Sequence, residues 1–116
     1  MDIRILVYLF HLFIVGPLFL YVGIYRDHIP KIMYSILLYL GIFIIFFHIF
    51  KVYNYIRLGK GYWVNLIHIF IVGPILIYIG YNREKTRRLF YELLLMLGFA
   101  AIGYHGYYLL RTMLTK

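Results

Sequence analysis

The segment HLFIVGPLFLYVG at residues 11–23 recurs as HIFIVGPILIYIG at residues 68–80, without a gap and at an offset of 57 residues. The same offset continues through the next apolar segment, so that 18 of 42 residue pairs are identical between positions 7 and 48. A chain rich in Ile and Leu aligns its apolar residues with itself by chance, but it does not also align its histidines and Gly-Pro pairs. The pattern predicts the tandem duplication of one helical hairpin.

The repeated motif belongs to four apolar segments without Asp, Glu, Lys or Arg: Ile5–Tyr25, Ile32–Phe50, Tyr62–Tyr81 and Leu93–Leu110. A helix over any of them is roughly 27–31 Å long, which matches the hydrocarbon thickness of a bilayer. The alternating pattern of a membrane β-strand is absent. The sequence therefore predicts an all-α membrane protein with four transmembrane helices. They form two tandem hairpins, 1–57 and 58–116, related by a pseudo-two-fold axis along the membrane normal.

Composition supports a membrane location. The chain is 65% hydrophobic and only 14% charged, which leaves too little polar surface to cover a soluble domain. Because each hairpin crosses twice, both termini of this multi-pass protein are expected on the same side. Lys and Arg divide six to six between the two sides, so charge does not predict the orientation. With only two alanines, the composition is typical of AT-rich genomes, as in some large viruses, protists or low-GC bacteria.

The basic charge of the chain bears on its partners. A formal net charge of +8, spread over both sides, predicts attraction to anionic lipid headgroups. Nucleic-acid binding needs a basic face exposed to solvent, and it is not expected here. A second copy of the chain or another membrane protein is the partner that an apolar helical surface favours.

Small residues predict where helices approach one another closely. Gly16 and Gly23 are seven residues apart on one face of the first helix, and Gly73 and Gly80 repeat this spacing on the third. Pro17 and Pro74 each remove a backbone donor and are expected to kink their helices.

A second stripe lies on the even-numbered helices. Six residues share one face of the second helix and recur on the fourth: Tyr34, Leu37, Leu38, Gly41, Ile45 and His48, with Tyr91, Leu94, Leu95, Gly98, Ile102 and His105. This face is predicted to be buried against protein, and Gly41 and Gly98 join the other four glycines as helix-packing residues.

Four histidines lie inside the apolar segments: His11, His48, His68 and His105. Their distances from the hairpin turns predict similar depths and thus one layer of imidazoles. Polar side chains within a span are costly and usually face the bundle interior or a functional cavity.

Three interpretations of this layer are open. Neutral histidines can bond across helices and fix the packing. They can be axial ligands of a b-type haem, with Gly41 or Gly98 leaving room for the porphyrin. They can also hold a divalent metal ion or relay protons.

The sequence carries no recognisable catalytic motif. Cysteine is absent, the acids are only Asp2, Asp27, Glu84 and Glu92, and no Walker loop, GxSxG or HExxH motif occurs. The preferred hypothesis is a non-enzymatic membrane scaffold or assembly component. The alternative is a haem or metal protein acting in electron transfer or proton relay, and passive ion conduction is a third class.

Overall fold

The computed structural model describes residues 2–115, which contain four long helices and no strand. We label the helices α1 (Ile3–His28), α2 (Lys31–Leu58), α3 (Trp63–Lys85) and α4 (Arg88–Leu114). Each is long and apolar enough to cross a membrane. The prediction of an all-α chain with four such helices is confirmed.

The helix ends follow from local chemistry. The Asp2 carboxylate accepts a hydrogen bond from the Arg4 backbone N–H and caps α1. α2 begins directly after Pro30 and ends at Gly59, whose φ of 69° is a left-handed conformation that glycine adopts without strain. α2 therefore continues past the uncharged segment, and a short connection at 59–62 leads to α3. Lys51 and Arg57 lie within this extension, with their charged groups over the rings of Tyr55 and Tyr53 at 5.3 and 5.7 Å from the ring centres.

α1 and α3 share an interruption just before their prolines. Five residues form a π-turn in each helix, His11–Val15 in α1 and His68–Val72 in α3, and the α-helix resumes at Gly16 and Gly73. The sequence predicted a kink at the prolines, and the structure has this wider turn ahead of them. A proline ring crowds the preceding turn and offers no N–H, and a π-turn relieves both problems.

Contacts divide the chain into two compact units. One unit comprises Met1–Arg26 and Tyr91–Lys116, and the other comprises Asp27–Phe90. The first pairs α1 with most of α4, and the second pairs α2 with α3. Each unit thus takes one helix from each predicted repeat segment, and the division into 1–57 and 58–116 stays a prediction.

Glycines allow close contact between α2 and α3. A methyl group added at Gly80 would lie 2.6 Å from both the Leu38 nitrogen and the Tyr34 oxygen. One added at Gly41 would lie 2.8 Å from the Gly73 oxygen, and one added at Gly73 would collide with Ile45. Since Gly73 meets Ile45 while Gly80 meets Leu38, the two helices run antiparallel.

The unit formed by α1 and α4 is built in the same way. A methyl group at Gly16 would lie 2.5 Å from the Ile102 side chain, and one at Gly23 would lie 2.9 Å from the Leu95 Cα. One added at Gly98 would lie 2.9 Å from the Leu20 side chain. α1 and α4 therefore also run antiparallel.

The face predicted to be buried on α2 and α4 is buried in part, since Leu38, Ile45, Leu95 and Ile102 are half-buried. Tyr34 and Leu37 on α2 are at most 1% exposed, and Tyr91 and Leu94 on α4 at most 2%. Gly41, Gly98 and His105 are also buried, while His48 is half-buried. Ile42 and Ile49, on the other side of α2, are exposed, so that one face of the helix packs against protein and the other does not.

We expect Gly80→Ala to destabilise the protein, because the added methyl group meets backbone atoms that cannot rotate away. The cost should be about 1–3 kcal/mol. Thermal unfolding in detergent, followed by circular dichroism, measures it. Gly103→Ala on α4 is the matched control, because nothing lies within 4 Å of an added methyl group there. This variant should be neutral or gain up to about 1 kcal/mol from helix propensity. Equal effects at the two sites would contradict the close approach of α2 and α3.

Candidate functional site

The structure places the four histidines of the apolar segments in two separate stacked pairs. His11 and His105 stack with ring centroids 3.9 Å apart and an angle of 22° between the ring planes. His48 and His68 stack at 4.1 Å and 13°. Each pair lies within one compact unit and joins two different helices. The single layer of four imidazoles stays a prediction.

A hydrogen bond to the preceding helical turn orients one member of each pair. His11 Nδ1 donates to the Val7 carbonyl oxygen over 2.8 Å, and His68 Nδ1 donates to the Val64 oxygen over the same distance. A carbonyl oxygen only accepts, so Nδ1 carries the proton and Nε2 carries the lone pair when the ring is neutral. The carbonyl of each histidine also accepts the N–H of the glycine five residues ahead, which closes the π-turn.

A buried amide orients the other member of the α2–α3 pair. His48 Nδ1 donates a hydrogen bond to Asn65 Oδ1 over 2.7 Å. Asn65 is only 5% exposed. Sequence reasoning did not select Asn65. A signal existed: it is an amide inside an apolar segment, three residues before His68 and therefore on the same helical face.

Aromatic rings surround the corresponding histidine of the α1–α4 pair. His105 is 7% exposed, and the Tyr8 and Tyr104 rings lie 6.0 and 5.1 Å from its ring. At the 57-residue offset, Tyr8 occupies the position of Asn65. The two pairs therefore share their ring stacking but differ in the side chain beside it.

The stacked geometry limits the metal chemistry of each pair. Two nitrogens that bind one ion must point their lone pairs at it, over about 2.0–2.1 Å in the case of zinc. Stacked rings hold these in-plane lone pairs side by side, so they do not converge on a common atom. Axial ligation of haem by two histidines equally requires nitrogens that face each other across the iron. Within residues 2–115, no group of three or more His, Cys, Asp or Glu side chains is placed to hold a metal ion.

Each histidine pair connects two helices. Each stack joins side chains from two helices, and the His48 bond gives the buried Asn65 oxygen a partner that it would otherwise lack at a cost in free energy. Of the printed histidine bonds, the one from His48 to Asn65 crosses between helices, and the role of the histidines in fixing helix packing stays a prediction.

Comparisons with known proteins identify no relative of this chain. No protein-family model matches the chain, and no curated protein or solved structure matches it significantly.

Removing the Asn65 amide should destabilise the α2–α3 unit. We expect Asn65→Ala to lower the free energy of unfolding by about 1–3 kcal/mol, because the half-buried His48 ring loses its acceptor and the buried amide is removed. Chemical denaturation in micelles gives the value. Asn54→Ala, a half-buried asparagine on α2, is the control and should change it by about 0.5 kcal/mol or less. A similarly small effect at Asn65 would show that the bond contributes little.

Proposed function

We propose that the chain is a small multi-pass membrane protein whose four helices cross the bilayer and which acts as a non-enzymatic scaffold or assembly component. The observation that carries the proposal is the apolar exterior of long helices. Phe13, Phe46 and Phe70 are 68–71% exposed, in contrast to the buried Leu37 and Leu94. Exposed aromatic surface of this extent favours contact with lipid or with another membrane protein.

The proposal includes a duplicated architecture. Contacts in the two units correspond at the 57-residue offset: Gly16 with Ile102 matches Gly73 with Ile45, and Gly23 with Leu95 matches Gly80 with Leu38. Both π-turns also fall at corresponding positions. These correspondences support two copies of one hairpin, and the pseudo-two-fold axis along the membrane normal stays part of the proposal.

The same-side placement of the termini has its own support. Residues from both ends of the described chain, including Arg4 and Thr115, line one pocket of the α1–α4 unit. In a spanning arrangement, the two turns at 26–30 and 82–86 would then lie on the opposite side.

Cysteine labelling tests the topology without background, because the native chain has no cysteine. Single cysteines at positions 28 and 84 should react with a membrane-impermeant maleimide from one side of sealed vesicles. Cysteines at 58 and 115 should react only from the other side. All four positions are exposed, so each thiol is accessible to the reagent. Labelling of 28 and 115 from the same side would contradict four crossings.

Site-specific photo-cross-linking tests the assembly role in native membranes. A photoreactive amino acid at 13, 46, 70 or 99, all exposed phenylalanine positions, should yield a discrete protein adduct from at least one of them. An adduct of twice the mass identifies a second copy, and another mass identifies a different partner. Position 37 is fully buried and serves as the control. Lipid adducts alone from all four positions would contradict an assembly role.

One observation favours the second candidate, a haem or metal protein or a proton relay. The Nδ1 bonds of His11 and His68 leave Nε2 as the basic nitrogen, which is the arrangement that metal-ligating histidines commonly use. The stacked rings, however, must separate before two of them can bind one ion.

An absorption spectrum of the purified protein separates the candidates. We expect a colourless sample that takes up neither added haem nor zinc, because the paired rings do not converge on an ion. A Soret band with sharp visible bands on reduction, abolished by His48→Ala or His11→Ala, would contradict the packing role and support the haem protein instead.

A further inference from the structure

A polar pocket lies at the end of the α1–α4 unit, apart from the histidine pairs. It is a partly open depression of about 530 Å³, lined by residues from the beginning of α1 and the end of α4. Among the described residues, its lining contains two guanidinium groups, Arg4 and Arg111, and one carboxylate, Asp2, so these three side chains together carry a charge of +1. The pocket is therefore a basic site at one end of two long apolar helices.

The single carboxylate is already engaged. Asp2 accepts from the Arg4 side chain through contacts of 2.8, 3.2 and 3.4 Å and from the Arg4 backbone at 2.9 Å. These bonds orient Arg4 while they neutralise much of the Asp2 charge. Arg111 then supplies the excess positive charge of the pocket.

Hydroxyl groups complete the lining. Tyr8 and Tyr108 form one wall, with ring centroids 6.4 Å apart, and Thr112 adds a third hydroxyl. The Thr115 hydroxyl donates to the Arg111 carbonyl over 2.6 Å, so its proton is occupied. Planar guanidinium donors supplemented by neutral hydroxyls are the groups that bind phosphate oxygens.

The location of the pocket at the helix ends indicates where its phosphate ligand comes from. The helices that form the pocket are 26 and 27 residues long, so in the membrane-spanning arrangement their ends lie at the level of the lipid headgroups. Ile3, Leu110 and Met113, in the same turns, are 57–70% exposed and offer apolar surface to acyl chains. We propose that this pocket binds the phosphate of an anionic lipid headgroup. This inference rests on the proposed membrane location.

The charge of the pocket also predicts selectivity. A phosphatidylglycerol headgroup presents a phosphate without a cation, whereas phosphatidylcholine adds a quaternary ammonium that the arginines repel. Basic pockets between helices at the membrane interface bind anionic headgroups for this reason.

Native mass spectrometry of the full chain in detergent, with equimolar phosphatidylglycerol and phosphatidylcholine, tests the site. The wild type should retain phosphatidylglycerol preferentially. Arg111→Gln should weaken that retention about tenfold, as expected for the loss of charge-assisted hydrogen bonds. Arg111→Lys should keep most of the preference because it keeps the charge. Asp2→Asn should strengthen retention, since asparagine still caps α1 but carries no negative charge.

Arg57→Gln is the matched control. It removes one positive charge from the exposed end of α2, outside the pocket, and should leave the lipid preference unchanged. Circular dichroism of each variant verifies that the helices persist. Equal losses in Arg57→Gln and Arg111→Gln would overturn the site, and so would the absence of any preference in the wild type.

Inorganic phosphate distinguishes the two sources of the ligand. Millimolar phosphate should not displace the bound lipid, because it lacks the acyl chains. Displacement by phosphate, lost again in Arg111→Gln, would assign the pocket to soluble phosphate and overturn the lipid assignment. Carbonate extraction of membranes is a separate readout: release of the wild-type chain would contradict the membrane location itself rather than the pocket.

Discussion

The close approach of helix backbones at glycine is the constraint on which both helix pairs depend. At Gly80 a single added methyl group would meet the backbone of α2, so no side chain can stand between the two helices there. This contact fixes the separation and the register of α2 and α3. Helix association in a lipid environment relies on such packing, because burial of apolar groups gains little when the solvent is itself apolar.

The register set by the glycines determines which histidines meet. Ile45 of α2 packs at Gly73 of α3. His48 follows Ile45 by three residues, His68 precedes Gly73 by five, and the two rings stack. The same steps lead from the contact of Ile102 with Gly16 to the stack of His105 on His11. The histidine pairs are therefore a consequence of the same packing that holds the helices together.

The two pairs nevertheless have different neighbours. Asn65 gives the α2–α3 pair a directional hydrogen bond, whereas Tyr8 places an aromatic ring beside His105. Tyr8 also lines the basic pocket at the helix ends, so that pocket and histidine pair share a wall in this unit. In the proposed membrane arrangement, a headgroup bound there would stabilise the end of the α1–α4 pair by contacting both helices at once.

The sequence predicted the helices and the buried stripe of α2 and α4, because uncharged length and helical periodicity are local properties. It did not predict the π-turns, since apolar spacing over His11–Val15 does not distinguish a π-turn from an α-turn, although the Gly-Pro pair marked the place. It also missed the pairing of His48 with Asn65 and the pocket joining Arg4 to Arg111. Each of these features depends on which helices pack against each other. Four apolar helices joined by short connections can pair in more than one way, and long-range packing decides between the pairings.

Cross-linking of introduced cysteines in membranes tests the histidine pairs and the helix pairing together. Cysteines replacing His48 and His68, or His11 and His105, should be joined efficiently by a short bifunctional thiol reagent, since the native rings stack at 4.1 and 3.9 Å. Cysteines at positions 48 and 81 should not be joined, because the register of α2 and α3 displaces them by about 16 Å along the helices. Failure of both native pairs to cross-link, in protein that still unfolds cooperatively, would contradict the account.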